Sequence, residues 1–268
     1  MKNAICFENN KNIIFHSHAG ASSILLPGEV HIWLATVDYV SELSLSAAEQ
    51  MTLSAMKLPF AARRFESTRK LLRYLLGAYL ECPDGQIEKT DQGKPFLPEF
   101  PAFHFNITHS KELIMIALSQ GPVGVDLERV RKLNVLPIAK RFFSPEELLF
   151  LEEEDQEQNQ QTFFKLWTAK EAALKANGGG IAFGMKNNLA TMEASRVRSI
   201  EIFSKPAAGD EIQGAVGVCE NAIGFKRQSW MIQSWSLYEK SELFFGAMAT
   251  LFIPTAIHWY DMRSKKQM

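Results

Sequence analysis

The chain has 268 residues, 46% hydrophobic and 22% charged, enough for one large domain or two small lobes packed together. A formal net charge of −1 gives none of the basic footprint that nucleic-acid binding calls for. Three widely spaced cysteines, Cys6, Cys82 and Cys219, form no CxxC and no Cys/His cluster. That argues against a structural zinc site and a disulfide framework, and for a reducing, cytoplasmic setting.

In chain order, the N-terminal "MKNAICFENNKNIIFHSHAG" lacks the uninterrupted apolar core of a signal peptide. Val30 to Val37 reads as a strand, and the chain turns helical from Ser46. A stronger helix runs from Arg63 to Leu80, with Phe65, Leu72, Leu75, Leu76 and Tyr79 at helical spacing. Phe103 to Ser110 alternates like a strand, and two further strands follow over Leu113–Ser119 and Val123–Glu128. Ser144-Pro145-Glu146-Glu147 starts a helix, with serine as N-cap, proline at the first helical position and a glutamate reaching back. Glu152 to Gln161 is acidic and polar, most simply a helix end and a solvated linker. A helix then spans about Thr162 to Asn177, and the remainder reads as strands and turns. The run Leu243 to Tyr260 is apolar enough to suggest a membrane span, but Pro254 splits it and its first half has the length of a buried strand. There is no regular βαβα alternation, so a two-lobed α+β molecule is expected, divided near Gly121-Pro122 into residues 1–120 and 121–268.

The chemistry-bearing residues concentrate in the second half. Asp126 and Glu128 end an apolar strand and share one face of it, where strand ends meeting solvent also carry acids. Glu171 lies inside an amphipathic helix beside Trp167. Three carboxylates from a strand and a helix would form a hard, oxygen-rich site suited to Mg²⁺. Lys175, four residues after Glu171, projects from the same helix face. Alone, that pair reads equally well as a surface ion pair. Beside a metal, the lysine would suit phosphoryl-transfer chemistry.

Several segments together resemble one family. "GVDLE", "FFSPEE" and "FFKLWTAKEAALKANGGGI" are similar to the 4′-phosphopantetheinyl transferases of the surfactin-synthetase-activating type. The signatures are Val123-Gly124-Val125-Asp126-Leu127-Glu128 and Trp167-Thr168-Ala169-Lys170-Glu171-Ala172-Ala173-Leu174-Lys175. "QGKPFLPEFPAFHFNITHS" fits the family's upstream pattern, and "RKLLRYLLGAYL" resembles its arginine-bearing helix. These motifs cover roughly residues 45 to 185 in the expected order.

The resemblance implies a pseudo-twofold pair of similar α+β lobes with the active site in the cleft between them, the first lobe binding coenzyme A. It implies transfer of the 4′-phosphopantetheine arm of coenzyme A to a serine of an apo acyl or peptidyl carrier protein, releasing adenosine 3′,5′-bisphosphate. Asp126, Glu128 and Glu171 would hold Mg²⁺, with Mn²⁺ as a substitute, and Asp126 would also face the coenzyme. Glu171 would take the serine proton, and Lys175 would stabilise the leaving group. Lys170 faces another side of the helix and is expected on a second coenzyme A phosphate. Thr108 and His109 are expected to bind phosphate, although a histidine there also suits a locally bonded turn. Lys94 in "GKP" is expected beside the nucleotide. Arg69 and Arg73, at i and i+4, are expected either to clamp the 3′-phosphate or to form a solvated basic face. Phe142-Phe143 suits a carrier-docking surface or ordinary core packing. A monomer, with no nucleic-acid or membrane partner, is expected. Two alternatives compete: a Mg²⁺-dependent phosphohydrolase, and a catalytically inactive carrier-binding module.

Overall fold

The protein is described by a computed structural model over residues 5–7, 13–16, 24–153, 155–178, 185, 189–193, 196–204 and 226–263. Short strands β1 (Ile5–Phe7) and β2 (Ile13–His16) precede β3 (Glu29–Thr36), the expected apolar strand, which is buried along six of its eight residues. Helix α1 (Ala47–Ala55) is fixed by a capping box: the Ser46 hydroxyl accepts from the Glu49 amide, and Glu49 accepts from the Ser46 amide. Helix α2 (Pro59–Leu80) begins four residues before the Arg63 suggested by periodicity, because Pro59 supplies a preset φ for the first turn.

A small ribbon, β4 (Glu88–Lys89) and β5 (Pro95–Phe96), leads into β6 (His104–Ser110), β7 (Leu113–Ser119) and β8 (Val123–Arg129). Helices α3 (Leu136–Phe142) and α4 (Pro145–Glu152) follow, α4 opening with the expected Ser144–Glu147 box. Helix α5 (Gln156–Asn177) starts earlier than expected, so most of the polar "linker" is helical. Asp155 explains this, since its carboxylate accepts from the Gln158 amide at 2.9 Å and caps the first turn. Gly179 and Gly180, in the sequence just after this helix, lie outside the described residues, as do Glu154 and Cys219.

The last strands are β9 (Leu189–Glu193), β10 (Arg196–Ser204), β11 (Lys226–Glu239), β12 (Glu242–Thr250) and β13 (Ala256–Asp261). The membrane-like run thus divides around Pro254 into two sheet strands, and no described helix is long and apolar enough to cross a membrane.

The strands form two large sheets. One has five strands in the order β2-β13-β3-β7-β6, and the other runs β8-β12-β11-β10-β9 with β1 also paired to β11. Each is backed by one 22-residue helix, which makes the molecule a pair of similar α+β lobes. Leu71, Leu72, Leu75 and Leu76 of α2 pack on Trp33, Ala35, Ile114 and Ile116. Phe164, Leu166, Ala169 and Ala173 of α5 pack on Ile200, Trp230 and Ala247. Between the sheets, Ile32, Leu34, Met115, Val125, Trp235 and Met248 share a third core. Each such fully buried aliphatic side chain contributes about 1.5–3 kcal/mol.

Two strands lie across the expected division at 120/121. Strand β1 pairs antiparallel with β11 in the second sheet, and β13 runs parallel between β2 and β3 in the first. The seam between the sheets is made by side chains of β6. Asn106 Oδ1 accepts from the Val125 amide at 2.8 Å, and Ser110 Oγ accepts from the Arg129 amide at 3.0 Å. The polar alternation of "FNITHS" is therefore a buried ladder to β8, placed where the lobes meet.

Candidate active site

Strand β8 turns Val123, Val125 and Leu127 into the core between the sheets, so its alternate residues Gly124, Asp126 and Glu128 face α5. Gly124 sets how near the helix comes. A Cβ there would lie 2.0 Å from the Ala172 carbonyl oxygen and 2.4 Å from the Ala176 nitrogen. Only glycine lets the helix backbone rest on the strand, and that approach brings Glu171 and Lys175 down beside Asp126.

The contacts at this point are short. Lys175 Nζ donates to Asp126 Oδ1 at 2.6 Å and lies 3.3 Å from both Thr108 Oγ1 and the Val125 carbonyl. Thr108 Oγ1 donates to the same Asp126 oxygen at 3.0 Å. Residues from β6, β8 and α5, hence from both lobes, thus converge on one carboxylate. Two buried oxygens of the cluster, Asp126 Oδ2 and Glu171 Oε1, make no hydrogen bond among the described residues. Buried carboxylate oxygens without donors are costly unless a cation meets them. Three carboxylates with two free oxygens are a donor set suited to a hard divalent cation such as Mg²⁺.

The electrostatics agree with that fit. Burial, then the Asp126 charge and more weakly Glu128, push the Glu171 carboxyl up to about 7, with Lys175 opposing. Glu128 is also raised, by burial and then by Asp126, while Arg131, 3.4 Å away, pulls the other way. Glu171 and Glu128 are thus both held less readily ionised, by burial first and then by the neighbouring carboxylate, as expected of acids gathered without a counter-ion.

His109 follows Thr108 and is solvent-accessible at the cleft surface, yet enough protein surrounds it to lower its pKa, and Arg64 lowers it further. Lys94 reaches from the loop before β5 to the end of α5, where Nζ donates to the Ala176 carbonyl at 2.5 Å. A cation there complements the helix C-terminus. Burial brings the Lys94 ammonium down to about 8. Beside it lies a 330 Å³ depression lined by Phe96, Leu97, Phe103, His104 and Pro122, apolar on most of its wall.

Other expected site residues are not brought here. Lys170 is fully buried on a different side of α5, where Nζ donates to both Glu147 oxygens at 2.8 and 2.6 Å and lies 5.4 Å from the Phe143 ring centroid. The expectation that Lys170 grips a coenzyme A phosphate is therefore corrected: the residue after an inward Lys170 projects about 100° away, and only Glu171 reaches the cleft. Arg73 is likewise buried and engaged elsewhere, donating to Glu49 Oε2 at 2.7 Å, the Pro83 carbonyl at 2.9 Å and Asp84 Oδ1 at 3.2 Å. It ties α2 to the α1 capping box and is no 3′-phosphate clamp. Arg69 sits 3.9 Å from the other Glu49 oxygen and over the Phe65 ring, part of the same knot. Phe143 is core and Phe142 packs on it, with Trp167 edge-on to Phe142 and stacked on Phe163, so core packing rather than docking explains this pair.

Sequence reasoning missed Glu147 as more than a cap. Besides the Ser144 amide and Lys170, it accepts from the Ala190 amide at 3.0 Å, joining α4, α5 and β9. A lysine at an inward helix position with a capping-box glutamate upstream was the available signal. Arg64, whose field reaches His109, carried no signal beyond lying one turn before Thr68 on α2.

A family model described as the 4′-phosphopantetheinyl transferase superfamily matches residues 122–216. The chain is 39% identical over 171 residues to the 4′-phosphopantetheinyl transferase HetI of Nostoc sp., covering 59% of this chain and 72% of the relative. A Synechocystis sp. protein whose name carries the same activity is 34% identical over 223 residues, 74% of this chain and 90% of its own length. Sfp of Bacillus subtilis is 32% identical over 151 residues, 52% of this chain and 67% of Sfp. Similarity of this extent to several transferases places the chain in the 4′-phosphopantetheinyl transferase superfamily.

Proposed function

We propose that the cleft between the lobes, taken as residues 1–120 and 121–268 with β1 and β13 exchanged across that line, transfers the 4′-phosphopantetheine arm of coenzyme A to a carrier-protein serine. The observation that carries this is the meeting of Asp126, Glu128, Glu171 and Lys175 with Thr108 at a point where two buried carboxylate oxygens lack donors. The relatives are transferases by name, which favours neither a phosphohydrolase nor an inactive binding module. A monomeric, cytoplasmic enzyme belongs to the same proposal, since one chain supplies both walls of the cleft.

Asp126, Glu128 and Glu171 would hold Mg²⁺, which when bound supplies neutralising charge to the pyrophosphate of coenzyme A. The remaining work falls to the chain. A serine hydroxyl is a poor nucleophile at neutral pH and needs a base within hydrogen-bond reach. Glu171, whose carboxyl burial and Asp126 raise when no cation is bound, accepts that proton as the serine oxygen bonds to the β-phosphorus. The bond from that phosphorus to the bridging oxygen breaks, and adenosine 3′,5′-bisphosphate leaves with the electron pair. Lys175, held by Thr108 and the Val125 carbonyl as well as by Asp126, meets the charge that develops on the leaving group. Lys94 and the apolar depression beside it take the nucleoside end. His109, with Arg64 nearby, takes a phosphate in place of Arg69 and Arg73.

The test is to incubate the protein with coenzyme A, Mg²⁺ and an apo carrier, then measure carrier mass. A gain of one phosphopantetheine per carrier is expected. Hydrolysis of coenzyme A without any carrier gain would overturn the proposal.

A further inference from the structure

Three of the six histidines gather on β2, β13 and β3, the half of the five-stranded sheet opposite the β6 edge that lines the cleft. Strands β2, β13 and β3 run parallel there, with His258 directly across from His31 and His16 across from Tyr260. Glu29 starts β3 and completes the cluster. Its Oε2 lies 3.3 Å from His31 Nε2, and its Oε1 lies 3.4 Å from His258 Nε2. One donor atom from each of these three residues lies within 4.8 Å of the other two. Ligands on one tetrahedral zinc stand about 3.4 Å apart, given metal bonds near 2.0–2.1 Å.

The opposite ring nitrogens are already held. His31 Nδ1 is 2.6 Å from the Tyr79 hydroxyl, and His258 Nδ1 is 2.8 Å from His16 Nε2. Trp33 Nε1 donates to the same Tyr79 oxygen at 3.2 Å, which fixes the phenol in turn. Partners on the far nitrogen, fixing ring orientation, are what metal-bound histidines have. A hydrogen-bonded network without an ion accounts for His31 but not for His258. The His258 Nε2 atom is buried, and although Glu29 Oε1 is near, it lies off the axis and no hydrogen bond forms among the described residues.

We propose that Glu29, His31 and His258 bind one zinc-class divalent transition ion at a site separate from the transfer cleft. Two imidazoles and one carboxylate favour such a borderline ion over Mg²⁺, which the oxygen-only cluster at Asp126 would take. His31 is almost fully buried, while Glu29 and His258 keep 15% and 16% of their side chains exposed, so the site lies just beneath the surface. The ion would clip β13 to β3, strands more than 200 residues apart in the chain. His16 is a positioning residue that orients His258.

The test uses the full chain, stripped with chelator and returned to excess Mg²⁺ to occupy the acidic cluster. Co²⁺ is titrated and followed by visible d–d absorption, then Zn²⁺ is used to displace it. One equivalent should give the intense band of a low-coordinate centre, and Zn²⁺ should raise the urea midpoint. His258→Ala and Glu29→Gln should each abolish both signals. His16→Ala should weaken affinity about 10–100-fold, as outer partners do. Asp126→Asn should leave the band intact. Glu29→Gln is isosteric and keeps the test valid if His258→Ala fails to fold. No band at saturating Co²⁺, a band unchanged by Glu29→Gln, or a band lost with Asp126→Asn would each overturn the proposal.

Discussion

Replacing Glu171 by glutamine tests the electrostatic account of the cleft through stability, independently of turnover. The Glu171 side chain is almost fully buried, and its carboxyl is raised from 4.5 to about 7, first by burial and then by Asp126. Below pH 4.5 the folded and unfolded chains both carry this proton. Between 4.5 and 7 the unfolded chain loses it while the folded protein keeps it, so stability falls as pH rises. At about 1.4 kcal/mol per pH unit, the accumulated penalty at pH 8 reaches roughly 3 kcal/mol as an upper bound. Glu171→Gln removes it. In chelator, urea denaturation should find the variant matching the parent near pH 4 and more stable by up to about 3 kcal/mol at pH 8. Mg²⁺ should stabilise the parent at pH 8 and the variant far less, and transfer to an apo carrier should be nearly abolished. Parallel stability curves for the two proteins from pH 4 to 8 would refute the reasoning, because a carboxyl that titrates normally carries no such penalty.

Lys170→Met leaves Glu147 buried without its cation, so a loss of about 3–5 kcal/mol is expected with an unchanged KM for coenzyme A in the folded fraction. A raised KM at full stability would return Lys170 to the cleft. Arg73→Met should likewise cost about 3 kcal/mol or more of stability, read from urea denaturation, and spare coenzyme A affinity, as measured by calorimetry on the folded protein. Gly124→Ala forces a Cβ into the α5 backbone, and a cost above about 3 kcal/mol or failure to fold is expected by circular dichroism. Full activity in that variant would mean α5 and β8 are not in backbone contact. Lys94→Met should raise the KM for coenzyme A with little effect on kcat, since the lysine sits at the nucleoside end of the proposed site; a loss confined to kcat would contradict that placement.

The long elements were legible because their periods are local. Leu72, Leu75 and Leu76 announced α2, and Ser144 with Glu147 announced α4 to the residue. The acidic cluster was legible because Asp126 and Glu128 share a strand face and Glu171 and Lys175 a helix face, each a matter of spacing. What spacing could not decide was which way a helix face points. Lys170 and Arg73 carry charges that read as binding residues, and only the tertiary partners Glu147 and Glu49 show them turned inward. Cysteine spacing argued against structural zinc, but the histidine cluster is assembled from β2, β3 and β13, and no local pattern joins residues 29 and 31 to 258.

The position of β13 between β2 and β3 also bears on how the protein is made. During synthesis β3 has β7 on one side early, but its other edge waits for more than 200 further residues, a delay of ten seconds or more at about 5–20 residues per second. Until then a nascent strand rich in valine, isoleucine, leucine and tryptophan presents an open edge, the surface most prone to wrong pairing. Closing it last leaves a pairing of very long sequence separation to a late step and ties completion of the first lobe to completion of the second. A polypeptide ending before Ala256 would leave this edge exposed permanently, so release of a shortened chain and its aggregation become one event.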